Sequence, residues 1–133
     1  IAVNTELYCL VGLATLCVPL AHLPAVARIA KVGAAWGVGN RDQEPPGLPA
    51  WIGRADRAHK NLIENIAFYS VALLAVLITG RCDGVTHVAA LTLVGARLAH
   101  AALYIGGVTF LGLRTLAYFV ALCSTLTLLS RLL

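Results

Sequence analysis

The sequence predicts an all-α integral membrane protein folded as a four-helix bundle, and three observations carry that reading. Hydrophobic residues make up 59% of the 133-residue chain and charged residues only 12%, with a mean hydropathy of +0.84. A soluble domain of this size could not solvate so apolar a surface. The apolar residues fall into four long runs, and the breaks between them gather charge and glycine, with Pro45, Pro46 and Pro49 in the first break. The length leaves room for a single four-helix domain over 1–133.

The first helix is expected over about 5–34, with no formal charge between Glu6 and Arg28. That exceeds the roughly 20 apolar residues needed to cross a bilayer core. Thr5 and Glu6 suit a helix start, Pro19 and Pro24 should bend the run, and Arg28 and Lys31 mark its exit into water. Its acidic leading flank sets it apart from a cleavable secretory signal, and the missing initial methionine is read as a few residues absent from the N-terminus. Residues 33–53 collect turn formers among Asn40, Arg41, Asp42, Gln43 and Glu44, flanked by Trp36 and Trp51 as interfacial anchors. This loop is longer than ordinary helix connections, so it is either a lid or a tolerated insertion. The second helix is expected over about 48–80, the third over 85–106 and the fourth over 113–133. Short links, Arg81-Cys82-Asp83-Gly84 and the segment around Gly106, Gly107 and Gly112, make consecutive helices antiparallel.

The net charge of +4 serves topology rather than nucleic acid, because of where it lies. Arg28, Lys31, Arg41, Arg54, Arg57 and Lys60 surround the first loop, and Arg97 and Arg114 border the third. Only Arg81 and Arg131 lie on the opposite side. Both termini are therefore expected on the non-cytoplasmic face, in a multi-pass protein of the bacterial inner membrane. Cys9, Cys17, Cys82 and Cys123 show no metal-binding or CxxC spacing. Three sit inside apolar runs as small hydrophobes, which leaves Cys82 as the one candidate for reaction.

The chemistry concentrates in Arg54-Ala-Asp-Arg57-Ala-His59-Lys60-Asn61-Leu-Ile-Glu64-Asn65-Ile-Ala-Phe68. At 100° per residue, Arg57, Asn61 and Glu64 share a narrow arc. Arg97, His100 and Tyr104 form a second stripe, spaced three and four apart on the third helix. Charges at membrane depth cost roughly 2.5–3.5 kcal/mol each, so such stripes call for partners, water or a ligand. With Arg114 and Thr115 at the start of the fourth helix, these groups converge at one end of the bundle. So many arginines suit an anionic ligand, since a guanidinium forks two donors onto a carboxylate. Glutathione, with two carboxylates, an ammonium group and a thiol, has the matching composition. A helix start beside Arg114 would favour its thiolate, although Arg114 could equally reach for lipid headgroups. His59 and His100 have no partners at metal-ligand spacing, and no metal is expected.

These residues resemble the MAPEG superfamily, the membrane-associated proteins of eicosanoid and glutathione metabolism. Arg57-Ala58-His59-Lys60-Asn61-Leu62-Ile63-Glu64-Asn65 is similar to its RAHxNxxEN motif. Asn40-Arg41-Asp42 with Pro45-Pro46 looks like the loop of bacterial members, and Arg97-x-x-His100-x-x-x-Tyr104 followed by Arg114 resembles the glutathione-using branch. Ala67 departs from a proline common in relatives, and Lys60 from an arginine found in some. The resemblance implies a homotrimer in which Arg57, Asn61, Glu64, Arg97, His100 and Tyr104 contact glutathione, and Arg28 comes from a neighbouring subunit. It further implies that Arg114 stabilises the thiolate; on residue chemistry alone, Tyr104 could donate its hydroxyl to that thiolate or equally serve as an interfacial aromatic. A transferase or peroxidase acting on hydrophobic electrophiles or lipid hydroperoxides from the bilayer follows. The rival is a non-catalytic lipid-binding or structural subunit.

Overall fold

A computed structural model describes residues 4–133. The elements are α1 (Thr5–Val32), α2 (Ala34–Val38), α3 (Ala50–Ile78), α4 (Gly84–Ile105), a single 3-10 turn (Phe110–Gly112) and α5 (Leu113–Ser130). Four of the helices are long and apolar enough to cross a membrane, α5 together with the turn that precedes it. At 1.5 Å per residue, the 28 residues of α1 extend about 42 Å, more than a hydrocarbon core. The chain is thus an all-α, multi-pass integral membrane bundle, as its composition predicts.

Glycine and capping chemistry end these helices. α1 stops at Val32 because Gly33 takes φ 95°, outside the helical region and rarely open to other residues. Pro19 and Pro24 each withdraw a backbone donor, yet α1 remains one continuous helix. Between α3 and α4, Gly80 adopts φ 66° and Asp83 closes a capping box. The Asp83 carboxylate accepts from the backbone of Val85 and Thr86, while Thr86 Oγ1 accepts from Asp83 N at 2.7 Å. The hairpin this makes turns α4 back along α3.

The apolar residues sort by size and side. Leu13, Leu62, Tyr69, Leu73, Val76, Leu93 and Leu128 fill the interior, while Ala72, Ala90 and Ala121 let the helices approach closely. Val11, Val18, Val26, Val71, Leu91, Leu116, Phe119 and Leu126 point outward, where lipid is the solvent. α4 packs most extensively on α5, α1 on α3, and α1 does not meet α5 among the described residues.

Two features were not expected from the sequence. Part of the first loop is the short helix α2, which packs on α1. At the far end of the bundle, Glu6 in the first turn of α1 is 0% exposed. Its Oε1 accepts from Thr86 Oγ1 at 2.5 Å, and its Oε2 lies 3.4 Å from His87 Nε2. A carboxylate in a membrane helix costs several kcal/mol unless it is paired or hydrogen-bonded, and α4 supplies both groups.

Candidate functional site

Alternating helix directions bring the start of α3, the end of α4 and the start of α5 to one end of the bundle. There Asn61, His100, Tyr104, Arg114, Thr115 and Tyr118 line a cavity of about 310 Å³. That is the lower end of the range for small-molecule sites. α4 contributes one stripe of its surface, since His100 and Tyr104 are four residues apart. α5 contributes Arg114 and Tyr118 by the same spacing. Tyr118 was missed by the sequence reading, although its offset of four from Arg114 was the available signal.

The electrostatics favour an anion. Among the described residues no carboxylate lines the cavity, while Arg114 lies in its wall with the guanidinium carbon 4.7 Å from the centre of the Tyr104 ring. Arg57, exposed at the rim, reaches the same ring at 6.0 Å. Two cations on one phenol hold its plane by cation–π attraction and leave the hydroxyl as the adjustable group. α5 begins at Leu113 after Gly112 at φ 66°, with no side chain capping it. Its first-turn N–H groups and positive dipole end therefore accompany Arg114 and Thr115.

Beneath the cavity lies a buried arginine. Arg97 is 1% exposed, and its Nη2 donates to Asn61 Oδ1 at 2.8 Å. Its guanidinium carbon sits 5.5 Å from the centre of the Tyr69 ring, which shields the charge from the other side. Among the described residues Arg97 Nε and Nη1, His100 Nδ1 and Tyr69 OH are buried without a hydrogen-bond partner. One helix turn on, Asn65 Nδ2 donates back to the Asn61 backbone carbonyl at 2.6 Å, which anchors the Asn65 side chain.

The remaining expected ligands lie elsewhere. Glu64 is exposed, with Lys60 3.9 Å away on the same helix face. Neither it nor Arg57 lines the cavity. Arg28 borders a separate cavity, where it is 8% exposed and engaged by Glu44 and Asp56. Arg97 lies directly below the cavity and reaches it through Asn61. Among the described residues no group of His, Cys, Asp and Glu side chains is arranged to hold a metal ion.

The profile of the MAPEG family matches residues 7–133, essentially the whole chain. The chain belongs to the MAPEG family. No curated protein sequence matches it. Membership in MAPEG associates the protein with glutathione-related chemistry in membranes, a class that includes transferases and peroxidases. The stretch Arg57 to Asn65 that resembles the family motif runs from the third turn of α3 into its fifth, beside the cavity rather than wholly inside it.

Proposed function

We propose that this protein is a glutathione-dependent transferase or peroxidase acting on hydrophobic electrophiles or lipid hydroperoxides. The observation that carries the reading is a cavity walled by Arg114, Tyr104, His100 and Asn61, free of lining carboxylates, at the start of a membrane helix. Arg114 and the first-turn N–H groups of α5 stabilise a thiolate, and the Tyr104 hydroxyl donates to the sulfur. Toward an electrophile, the sulfur forms a carbon–sulfur bond as the leaving group departs with its electron pair. Toward a hydroperoxide, sulfur attacks the terminal oxygen and the O–O bond breaks, giving an alcohol and glutathione sulfenic acid. A second glutathione then yields the disulfide and water.

Arg57 and Glu64, exposed beside the cavity, take the peptide's carboxylate and ammonium groups, and Arg97 and His100 hold its inner end. Arg28 joins from a neighbouring subunit of a homotrimer. Its guanidinium keeps an Nη1 proton beyond those given to Glu44 and Asp56. The site lies at the cytoplasmic face of a bacterial inner membrane, so glutathione arrives from water and the second substrate from lipid. The protein reconstituted in vesicles should conjugate glutathione to an aryl chloride or reduce a lipid hydroperoxide. Absence of both reactions, with glutathione bound, would assign it to non-catalytic lipid binding.

A further inference from the structure

Tyr118 lines the cavity of Arg114 and Tyr104 but has no part in the chemistry described so far. It stands four residues beyond Arg114 on the same face of α5, about 6 Å further along the helix axis. Because α5 begins at Leu113, Arg114 belongs to its first turn and Tyr118 to its second, one turn nearer the middle of the membrane. The Tyr118 ring is half-buried and meets the ring of Phe119 edge to face, centre to centre at 5.6 Å. Phe119 itself is exposed on the lipid side. Among the described residues the first side-chain hydrogen bond along α5 is that of Ser124, so the Tyr118 hydroxyl keeps its proton for whatever enters the cavity.

The two reactions open to a thiolate here differ in what departs. Chloride leaves an aryl carbon as a stable anion and needs no proton. The alkoxide leaving a hydroperoxide is a strong base, and departs readily only if it is protonated as the O–O bond breaks. Few side chains of the lining can supply that proton. Asn61 has none to give, Arg114 stays protonated at any cellular pH, Tyr104 donates to the sulfur, and His100 holds the peptide. Thr115 is an aliphatic alcohol, no stronger an acid than the product it would make. A phenol is stronger, and the depth of Tyr118 suits the direction of attack. With the sulfur at the start of α5, in-line attack on the terminal oxygen leaves the departing oxygen on the far side, toward the apolar end of the substrate.

We propose that Tyr118 is the general acid of hydroperoxide reduction. Its role depends on the cavity activating glutathione as proposed above. The thiolate sulfur bonds to the terminal oxygen, which keeps its hydrogen and becomes the hydroxyl of the sulfenic acid. The O–O electron pair passes to the inner oxygen, which takes the Tyr118 proton and leaves as the alcohol. Water then returns a proton to the phenolate, matching the one released when the thiol ionised. Conjugation of an aryl chloride bypasses Tyr118, since its leaving group departs unprotonated.

The test follows the decay of thiolate absorbance in detergent-solubilised protein loaded with glutathione, after mixing with an alkyl hydroperoxide, a peroxy acid or an aryl chloride. The peroxy acid shares the O–O bond but releases a carboxylate, which needs no proton. Tyr118→Phe should slow decay with the alkyl hydroperoxide about 10²-fold relative to the other two substrates, the usual worth of a positioned acid. In the wild type, D₂O should slow the hydroperoxide step and not the chloride step. A uniform loss on all three substrates, or none on the hydroperoxide, overturns the proposal and leaves the glutathione reading standing. A wild type that forms no thiolate, or reacts with none of the three, overturns that reading and the role of Tyr118 with it. The D₂O comparison uses the wild type alone, so it decides even where Tyr118→Phe fails to fold: a hydroperoxide step of unchanged rate overturns the proposal.

Discussion

Arg97 on α4 gives a single hydrogen bond, from Nη2 to Asn61 Oδ1 on α3 at 2.8 Å, although it is almost fully buried. An interior cation held by one neutral acceptor is a sensitive joint, because removing that acceptor leaves the charge with only the face of the Tyr69 ring beside it. Asn61→Ala should therefore destabilise the protein by about 2–4 kcal/mol and weaken glutathione binding as well. Arg97→Met removes the charge together with the need for an acceptor, and should keep or raise the unfolding temperature while still weakening glutathione. Thermal unfolding in detergent, beside calorimetry with glutathione, separates the two outcomes. Equal stability losses in both variants would show that the pair does not work in this way.

Arg114 offers a more direct test of the chemistry. Its guanidinium lies 4.7 Å from the Tyr104 ring centre and shares the cavity wall with the uncapped start of α5. Arg114→Ala should abolish the ultraviolet absorbance of enzyme-bound thiolate and lower kcat by about 10²–10³, the usual loss when a charge-stabilising donor is removed. Tyr104→Phe keeps the ring that carries Arg114 and loses only the hydroxyl, so its effect should be smaller, about tenfold. A thiolate signal unchanged in Arg114→Ala would remove Arg114 from catalysis.

Much of this architecture was legible in the sequence, for physical reasons that also explain what was not. Four spans follow from run length and from breaks such as Arg81-Cys82-Asp83-Gly84, since a helix is the way an apolar run of this length satisfies its own backbone in lipid. The α4 stripe was readable because a spacing of three and four fixes a face whatever that face meets. The α3 arc of Arg57, Asn61 and Glu64 was equally regular, but periodicity does not say which way a face points. The buried side of α3 runs through Ala58, Leu62, Asn65, Tyr69 and Val76, which leaves Arg57 and Glu64 at the rim. The burial of Glu6 was out of reach for a related reason: α1 does start at Thr5 and Glu6 as its sequence suggests, but the burial depends on Thr86 and His87, some eighty positions away.

The link that aims Arg114 depends on a glycine. Gly107 sits at φ +72°, and a Cβ placed there would come within 3.0 Å of the Arg54 guanidinium, whose Nε donates to the Ile105 carbonyl at 2.8 Å. Gly107→Ala combines an unfavourable backbone region with displacement of that arginine. It should cost about 1–3 kcal/mol and shift the register of α5. Activity should fall more than stability alone explains, visible as reduced kcat at temperatures where the variant remains folded. Gly84→Ala, where a Cβ would meet nothing within 4 Å and φ is not in the left-handed region, serves as the control.

The far end of the bundle yields a pH-dependent outcome. Cys82 lies in the link between α3 and α4, half-buried, with Asn4 Nδ2 3.5 Å from its sulfur. Burial pushes the thiol above its ordinary range, and the Glu6 carboxylate raises it further. Only the thiolate reacts, so alkylation at neutral pH should be slow and should climb as pH rises toward the elevated value. Glu6→Gln removes the negative neighbour while keeping the size, and should shift the alkylation profile to lower pH. Burial, the larger cause, remains, so the profile should still lie above that of a free cysteine. Rates of maleimide labelling across the alkaline range, with product mapped to Cys82 by mass spectrometry, test both statements. Fast labelling at neutral pH in the wild type, or a profile unmoved by Glu6→Gln, would show that the carboxylate does not govern this thiol.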